Sequence, residues 1–224
     1  MKFLFYKPIK TDTLAKNVCF WSDTHFGHKC EHWDNPLWRM RGFDSVEDHD
    51  EQLVSRWNTK CNSDSVVFHL GDFIFGQNAE ERFMKFLDRL NFNTLYVMPG
   101  NHNSGWRQAF ERQAKNVLYL NNSKSVYFIP NYIEVITNEQ PIVLSHYPLA
   151  SFNGQARGSW MIHGHCHSNL YKKEIGSILY KAKIFDIGIE NSPYPKTFED
   201  LKIMFDQKDI ITFDHHDQHT QSPF

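Results

Sequence analysis

The chain has 224 residues, of which 41% are hydrophobic and 22% charged, and its formal net charge is −2. This length can bury a full core without disulfide bonds, and the charge argues against a basic surface that would bind duplex nucleic acid. No apolar run approaches the ~18 residues of a membrane span, and the apolar patch in MKFLFYKPIK is too short for a secretion signal. The four cysteines, at positions 19, 30, 61 and 166, form no CxxC pair. We therefore expect a cytoplasmic protein without a membrane partner.

The first half of the chain alternates strand patterns with helix patterns. Apolar runs predict strands at 17–22, 65–70 and 94–98, and helical periodicity predicts helices at 45–60, 79–90 and 104–115. Ser45 is the expected N-cap of the first helix, because acidic residues fill the turn that follows it. Strand–helix–strand units of this kind are typical of an α/β fold.

In the second half, strand patterns predominate. Strands are predicted at 125–129, 132–136 and 141–145, as consecutive members of a meander, and further strands at 160–162, 183–187 and 209–213. A late helix is predicted at 197–204 with Thr197 as its cap. The whole pattern favours an α/β sandwich in one domain at 1–213, followed by a flexible polar tail at 214–224.

Side chains able to bind metal follow directly after the predicted strands. They are Asp23, His25, Asp72, Asn101, His102, His146, His165 and His167. Because loops converge at the carboxyl ends of strands in α/β sheets, we expect these residues to meet in one site. Gly71, Gly100 and Gly164 precede or separate them and permit sharp turns or close backbone approach. Oxygen and imidazole donors without thiolate suit Mn, Fe or Zn better than Ca, and their number indicates two ions.

The order of these motifs resembles the calcineurin-like metallophosphoesterase family. The motifs are DTH at 23–25, GD at 71–72, GNH at 100–102, His146, and GHCH at 164–167, and the resemblance covers residues 18–190. The segments SDTHFGHK and RGFDSVEDHDEQLVSRWN are similar to the small bacterial and phage members. A phage gene product would act in the host cytoplasm.

The resemblance implies a four-layer α/β/β/α sandwich with a dinuclear site. Carried over by motif, the first ion would be held by Asp23, His25 and His167, and the second by Asn101, His146 and His165. Asp72 would bridge the two ions, and His102 would be the catalytic residue facing the phosphate. Mn is the expected ion, with Fe, Zn, Ni and Mg as alternatives.

The implied reaction is hydrolysis of a phosphate mono- or diester through a metal-bridging hydroxide. Two cations ~3.5–4 Å apart lower the pKa of a shared water and neutralise phosphoryl oxygens, while a protonated His102 can donate to the leaving oxygen. Asn103 stands where the family commonly has an acidic residue. We expect this difference to weaken the acid role of His102 without affecting ligation.

Substrate contacts are less defined by the sequence. His28 and Arg157 are candidates, Arg157 because guanidinium binds phosphate well. Loop residues Trp33, Trp38, Arg39 and Arg41 could stack a base and hold phosphate, or only pack the loop.

The expected partner is a small phosphorylated substrate, with a nucleotide among the options, and not duplex nucleic acid. One alternative is a nuclease acting on single-stranded or short nucleic acid. Another is a non-catalytic metal-binding scaffold, which predicts eroded ligands, whereas all seven presumed ligands and His102 are present.

Overall fold

The computed structural model describes residues 8–11, 15–29, 34–76, 78–102, 117–120 and 123–212. The strands are β1 (Ile9–Thr11), β2 (Val18–Trp21), β3 (Val66–His69), β4 (Thr94–Val97), β5 (Val117–Tyr119), β6 (Ser125–Phe128), β7 (Tyr132–Thr137), β8 (Gln140–Ser145), β9 (Trp160–His163), β10 (Ile184–Asp186) and β11 (Lys196–Thr197). The helices are α1 (Leu37–Met40), α2 (Val46–Lys60), α3 (Ala79–Arg89), α4 (Glu174–Lys181) and α5 (Phe198–Phe205).

The strands form two mixed sheets. The first sheet has the order β11-β2-β3-β4-β6-β5, and the second has the order β1-β7-β8-β9-β10. Strands β2, β3, β4 and β6 run parallel to one another, as do β8, β9 and β10. The carboxyl ends of the central strands therefore lie at a common edge of each sheet, where loops can assemble a site.

Alternation along β2 shows how the layers are arranged. Val18 and Phe20 point into an apolar core shared with β7, β8, β9 and α5, so this core lies between the sheets. Cys19 and Trp21 point the other way, into a core formed with α2 and α3. A third cluster joins the outer face of β8 and β9 to Leu179 of α4. Two mixed sheets flanked by helices confirm the predicted α/β sandwich.

The predicted helix caps are present. The Ser45 hydroxyl accepts a hydrogen bond from the Asp48 N–H at 3.0 Å, and Thr197 and Asp200 form a reciprocal capping box at the start of α5. Each such cap is worth about 1 kcal/mol, because it satisfies N–H groups that the first helical turn leaves unpaired.

Two predictions about the second half are wrong. The strand predicted at 125–129 does not belong to a meander, because β6 pairs with β4 and β5 in the first sheet while β7 and β8 form a hairpin in the second. Pro130 lies between β6 and β7, and because it has no N–H to donate, the ladder of β6 cannot continue through it. At 209–212 only an isolated bridge from Asp209 to Ala182 forms, and Ile210 is exposed instead of adding a strand.

Several further predictions fall outside the described residues. They are the helix at 104–115, the tail at 214–224, Phe213 of the predicted last strand, Cys30, Trp33 and Asn103. The single-domain assignment to 1–213 stays a prediction. Within the described ranges, every helix is too short or too polar to cross a bilayer.

Candidate metal centre

The loops that follow β2 and β3 run side by side and are joined through their backbones. The N–H of Asp23 donates to the Gly71 carbonyl at 3.1 Å, and the N–H of His25 donates to the Asp72 carbonyl at 2.9 Å. Phe26 continues the pairing with the chain after Asp72. These bonds fix the first two predicted ligand motifs next to each other at the sheet edge.

Five of the seven predicted ligands have left-handed backbone conformations. The φ angles are 59° at Asp23, 48° at His25, 50° at Asp72, 71° at His165 and 46° at His167. This region is uncommon for residues other than glycine, although Asp, Asn and His enter it more readily than most. Such strained residues cluster at sites where the surrounding structure dictates the direction of each side chain.

Asp72 lies at the centre of the cluster. Its Oδ2 is 3.6 Å from Nε2 of His25 and 3.6 Å from Nε2 of His146, and its Oδ1 accepts the N–H of His102 at 2.9 Å. One carboxylate oxygen therefore lies between two imidazoles that come from different strand ends. This is the arrangement a carboxylate needs to bridge two ions.

A second group of donors surrounds Asn101. Its Oδ1 lies 2.9 Å from Nε2 of His146 and 2.8 Å from Nδ1 of His165. Nδ1 of His146 carries the ring proton, because it lies 2.8 Å from the Leu70 carbonyl, which can only accept. Nε2 of His146 is then the free acceptor. Neighbouring ligands of one ion at bond lengths of ~2.1 Å are separated by ~3 Å, so these spacings fit a shared cation.

Asp23, His25 and His167 form the other half of the cluster. Their candidate ligand atoms all lie within 4.8 Å of one another, and so do those of Asp23, Asp72 and His146. Neither ring nitrogen of His25 has a hydrogen-bond partner among the described residues, although the side chain is buried. An unsatisfied buried polar group costs about 1–3 kcal/mol, which a cation at this position would offset. The residues therefore fit a metal ion.

The charge state of the cluster also favours a cation. Burial raises the pKa of Asp23 to about 8; His167 opposes this rise, and the carboxylates of Asp186 and Asp72 add to it. Burial, together with the neighbouring Arg41 cation, holds the pKa of His25 well below its usual value. In the metal-free site His25 is thus a neutral imidazole and the Asp23 carboxyl is costly to ionise, and a divalent ion would reverse that cost.

His102 lies at the exposed rim of this cluster. Its ring is edge-on to His25, with centroids 5.3 Å apart, and 5.2 Å from the ring of Phe75. His28 is buried behind them, stacked on His25 at 5.4 Å and 4.0 Å from Phe75. His28 therefore supports the ring of a candidate ligand, and its role as a substrate contact stays a prediction.

Arg157 is not brought to the cluster. It belongs to a short 3-10 turn, Gln155–Arg157, just before β9, whereas His165 and His167 follow the other end of that strand. There it lines a pocket of about 230 Å³ together with Glu134 and Asn153. No described contact links it to the candidate ligands.

Three of the four loop residues considered for substrate binding, Trp38, Arg39 and Arg41, lie among the described residues. The Arg41 side chain is 4% exposed and makes an ion pair with Glu190 at 2.8 Å, so it packs behind the cluster instead of facing solvent. Trp38 packs on the core beside α2, and Arg39 is exposed above its ring at 5.1 Å. The packing interpretation of this loop is therefore correct for Arg41 and Trp38.

Two carboxylates near the cluster, the buried Asp186 and the partly exposed Glu190, were missed by the sequence interpretation. Glu190 accepts a hydrogen bond from Nδ1 of His167 at 2.7 Å, which leaves Nε2 as the nitrogen of that ring that could bind a metal. Asp186 accepts the Gly188 N–H at 2.9 Å, and burial raises its pKa to about 7. Acidic residues within the otherwise apolar run IFDIGIE were the available signal, since an unpaired carboxylate is seldom buried.

The chain belongs to the calcineurin-like phosphoesterase family, whose model matches residues 16–223. It is 26% identical over 187 residues to the uncharacterized protein MJ1445 of Methanocaldococcus jannaschii, covering 84% of this chain and 89% of that protein. The crystal structure of the protein of unknown function AQ665 from Aquifex aeolicus is similar, with a TM-score of 0.58 and 18% identity. That similarity covers 84% of this chain and 98% of the other, and shows the fold alone.

Proposed function

We propose that this protein is a dinuclear metal-dependent phosphoesterase that hydrolyses a phosphate mono- or diester of a small substrate. One observation carries the proposal: Oδ2 of Asp72 lies 3.6 Å from both His25 and His146, which belong to separate groups of donors. A single carboxylate between two such groups supports two ions rather than one. The family membership supports the reaction class.

The donor atoms support a specific assignment of the two ions. In this proposal the first ion is held by Asp23, His25 and His167, and the second by Asn101, His146 and His165, with Asp72 shared. Carboxylate, amide and imidazole donors without thiolate suit Mn best among the expected ions, with Fe, Zn, Ni and Mg as alternatives. When bound, such ions act as Lewis acids on the phosphoryl group and lower the pKa of water.

The chain's own residues supply orientation and a proton. The Leu70 carbonyl fixes the tautomer of His146, and Glu190 fixes that of His167, so in each ring Nε2 is the nitrogen that could bind a metal. The backbone of His102 holds Asp72 in place, while its exposed ring can reach a bound ester. A protonated His102 ring would donate to the leaving oxygen, a contribution worth about 10²–10⁴-fold in rate.

A metal-replacement experiment tests the proposal. The protein is stripped with a chelator, and hydrolysis of p-nitrophenyl phosphate and bis-p-nitrophenyl phosphate is measured after adding Mn, Fe, Zn, Ni or Mg. We expect turnover to return when two equivalents of metal have been added. The matched variant Asp72→Asn should stay inactive under the same conditions. The preferred ester separates a monoesterase from a diesterase.

The same assay separates the alternatives. Cleavage of a short single-stranded oligonucleotide in preference to both small esters would favour the nuclease interpretation. Stoichiometric binding of two ions without turnover of any ester would favour the non-catalytic scaffold. Failure to bind two ions would overturn the dinuclear proposal itself.

The state of the cysteines supports a cytoplasmic location as part of this proposal. Among the described residues, Cys19, Cys61 and Cys166 are all free thiols. Free thiols are the rule in reducing compartments, where disulfide bonds are rare. Fractionation of producing cells would place the protein with the cytoplasmic enzymes if this is right, and with an oxidising compartment if it is wrong.

A further inference from the structure

Arg41 is a buried cation that binds several parts of the candidate site at once. Its Nη2 donates to the backbone carbonyl of Asp23 at 2.7 Å, and its Nη1 donates to that of Thr24 at 3.2 Å. Its Nε donates to Oε1 of Glu190 at 2.9 Å. One guanidinium therefore holds the backbone of the first ligand motif and a carboxylate that comes from beyond β10.

Glu190 transfers this restraint to a candidate ligand. The same oxygen, Oε1, lies 2.7 Å from Nδ1 of His167, and because a carboxylate can only accept, that nitrogen carries the proton. That oxygen also forms the ion pair with Nη2 of Arg41 at 2.8 Å, so one carboxylate oxygen holds both side chains. The ring of His167 is thus held in one tautomer and one orientation.

The restraint extends on the other side to the start of α2. Nη1 of Arg41 lies 3.0 Å from Nε2 of His49, which must accept because arginine only donates. Nδ1 of His49 then donates to Oδ1 of Asp50 at 3.0 Å, and that oxygen also accepts the N–H of Gly27 at 2.9 Å. The first ligand motif is consequently held near its beginning, through Asp23, and just after its end, through Gly27.

We propose that Arg41, together with Glu190, is a positioning unit for the first metal position and not for the second. The inference rests on the proposed function, since it assumes two ions. The described contacts of Arg41 and Glu190 reach Asp23 and His167 and include no residue of the second position, where the Leu70 carbonyl holds the ring of His146. The segment RGFDSVEDHD at 41–50 thereby gains a role at the site without contacting substrate.

The test measures the affinity of each position separately. Mn²⁺ is titrated calorimetrically into metal-free wild type, Arg41→Lys and Glu190→Gln, and the spin-coupled EPR signal of the two-ion form is recorded. Lysine keeps the charge but lacks the planar fork that reaches several acceptors, and glutamine keeps the shape but lacks the charge. Arg39→Lys is the matched control, because Arg39 is an exposed arginine of α1, the short helix that ends just before Arg41.

We expect one of the two Mn²⁺ affinities to fall about 10–100-fold in both variants, the usual effect of removing a partner that orients a ligand. The other affinity should stay within twofold, and the coupled EPR signal should require excess metal. Equal weakening of both affinities, or wild-type affinities in either variant, would overturn the positioning role. Wild-type protein that binds fewer than two ions would instead remove the proposed function, so the two failures are distinguishable.

Discussion

The close approach of the β3 and β4 loops makes Gly100→Ala a sensitive test of the site. A β carbon at Gly100 would lie 1.9 Å from Oδ1 of Asp72, 2.4 Å from its backbone nitrogen and 2.5 Å from its Cγ. Non-bonded heavy atoms prefer about 3.5 Å, so the two loops must separate by about 1 Å. Rotation of the Asp72 side chain cannot relieve the contact with the backbone nitrogen. Because ligand distances tolerate only about 0.2 Å, such a shift should disrupt a site that uses both Asp72 and Asn101.

The expected result has two parts. Overpacking should lower the free energy of unfolding of the metal-free protein by about 1–3 kcal/mol. For a chain of this length that corresponds to a fall of about 2–12 °C in Tm, measured by thermal unfolding. Displacement by about 1 Å should also reduce the metal-dependent turnover about 100-fold, measured as ester hydrolysis together with Mn²⁺ titration.

Gly42→Ala provides the control for the added methyl group. Its β carbon would meet nothing within 4 Å, although φ is +80° there, so it should cost about 1 kcal/mol in backbone strain. Metal affinity and turnover should be unchanged in that variant. If Gly100→Ala bound two ions with wild-type affinity, the loops would not meet as described and the reasoning would be refuted.

Three further predictions concern protons and metal. His102→Ala should keep its metal content, because only the backbone of His102 holds Asp72, while kcat falls about 10²–10⁴-fold; metal loss measured by atomic emission would contradict this. The pKa of Asp23 is about 8 in the metal-free fold against an ordinary 3.8, so the fold is stabilised by the protonated carboxyl. This stabilisation is lost as pH rises from about 4 through 8. Mn²⁺ binding at pH 7 should therefore release a proton, visible in calorimetry with different buffers, and Asp23→Asn should release fewer. Removing the metal with a chelator, from a solution whose free metal concentration is 100 times Kd, should lower the free energy of unfolding by about 2.7 kcal/mol and Tm by roughly 5–11 °C. An unchanged Tm would mean that metal does not bind the folded state.

Local patterns in the sequence were sufficient to predict the strands that carry the ligands. The strand ends before Asp23, Asp72 and His146 lie where the apolar runs stop, since a buried strand of a parallel sheet reads as a continuous apolar segment. The glycine at 100 was expected to permit close approach, and a β carbon there would indeed clash with Asp72. Residue types at strand ends thus predicted a cluster that the structure brings together.

Sheet membership and the residues behind the ligands were not predictable in the same way. The strand pattern at 125–129 does not determine which sheet the strand joins, because sheet membership depends on pairing with β4 and not on the residues of the strand itself. Arg41 and Glu190 are separated by 149 positions, and neither forms a local motif with the other. Only the folded chain reveals that a loop arginine is buried against a carboxylate that orients His167.

The left-handed backbone at five candidate ligands affects which mutations this chain would accumulate if it were no longer selected for activity. At about 1 kcal/mol each, these conformations together oppose folding by about 5 kcal/mol, a large share of the 5–15 kcal/mol by which a typical domain is stable. Substitution by glycine would relieve this strain most simply at His25, whose ring nitrogens have no hydrogen-bond partner among the described residues. Mutation without selection for activity would therefore tend to remove His25 early, whereas glycine at 23 or 72 would leave backbone N–H groups of His165 and His102 unpaired. A chain that keeps His25 does so against the direction in which stability alone would carry it.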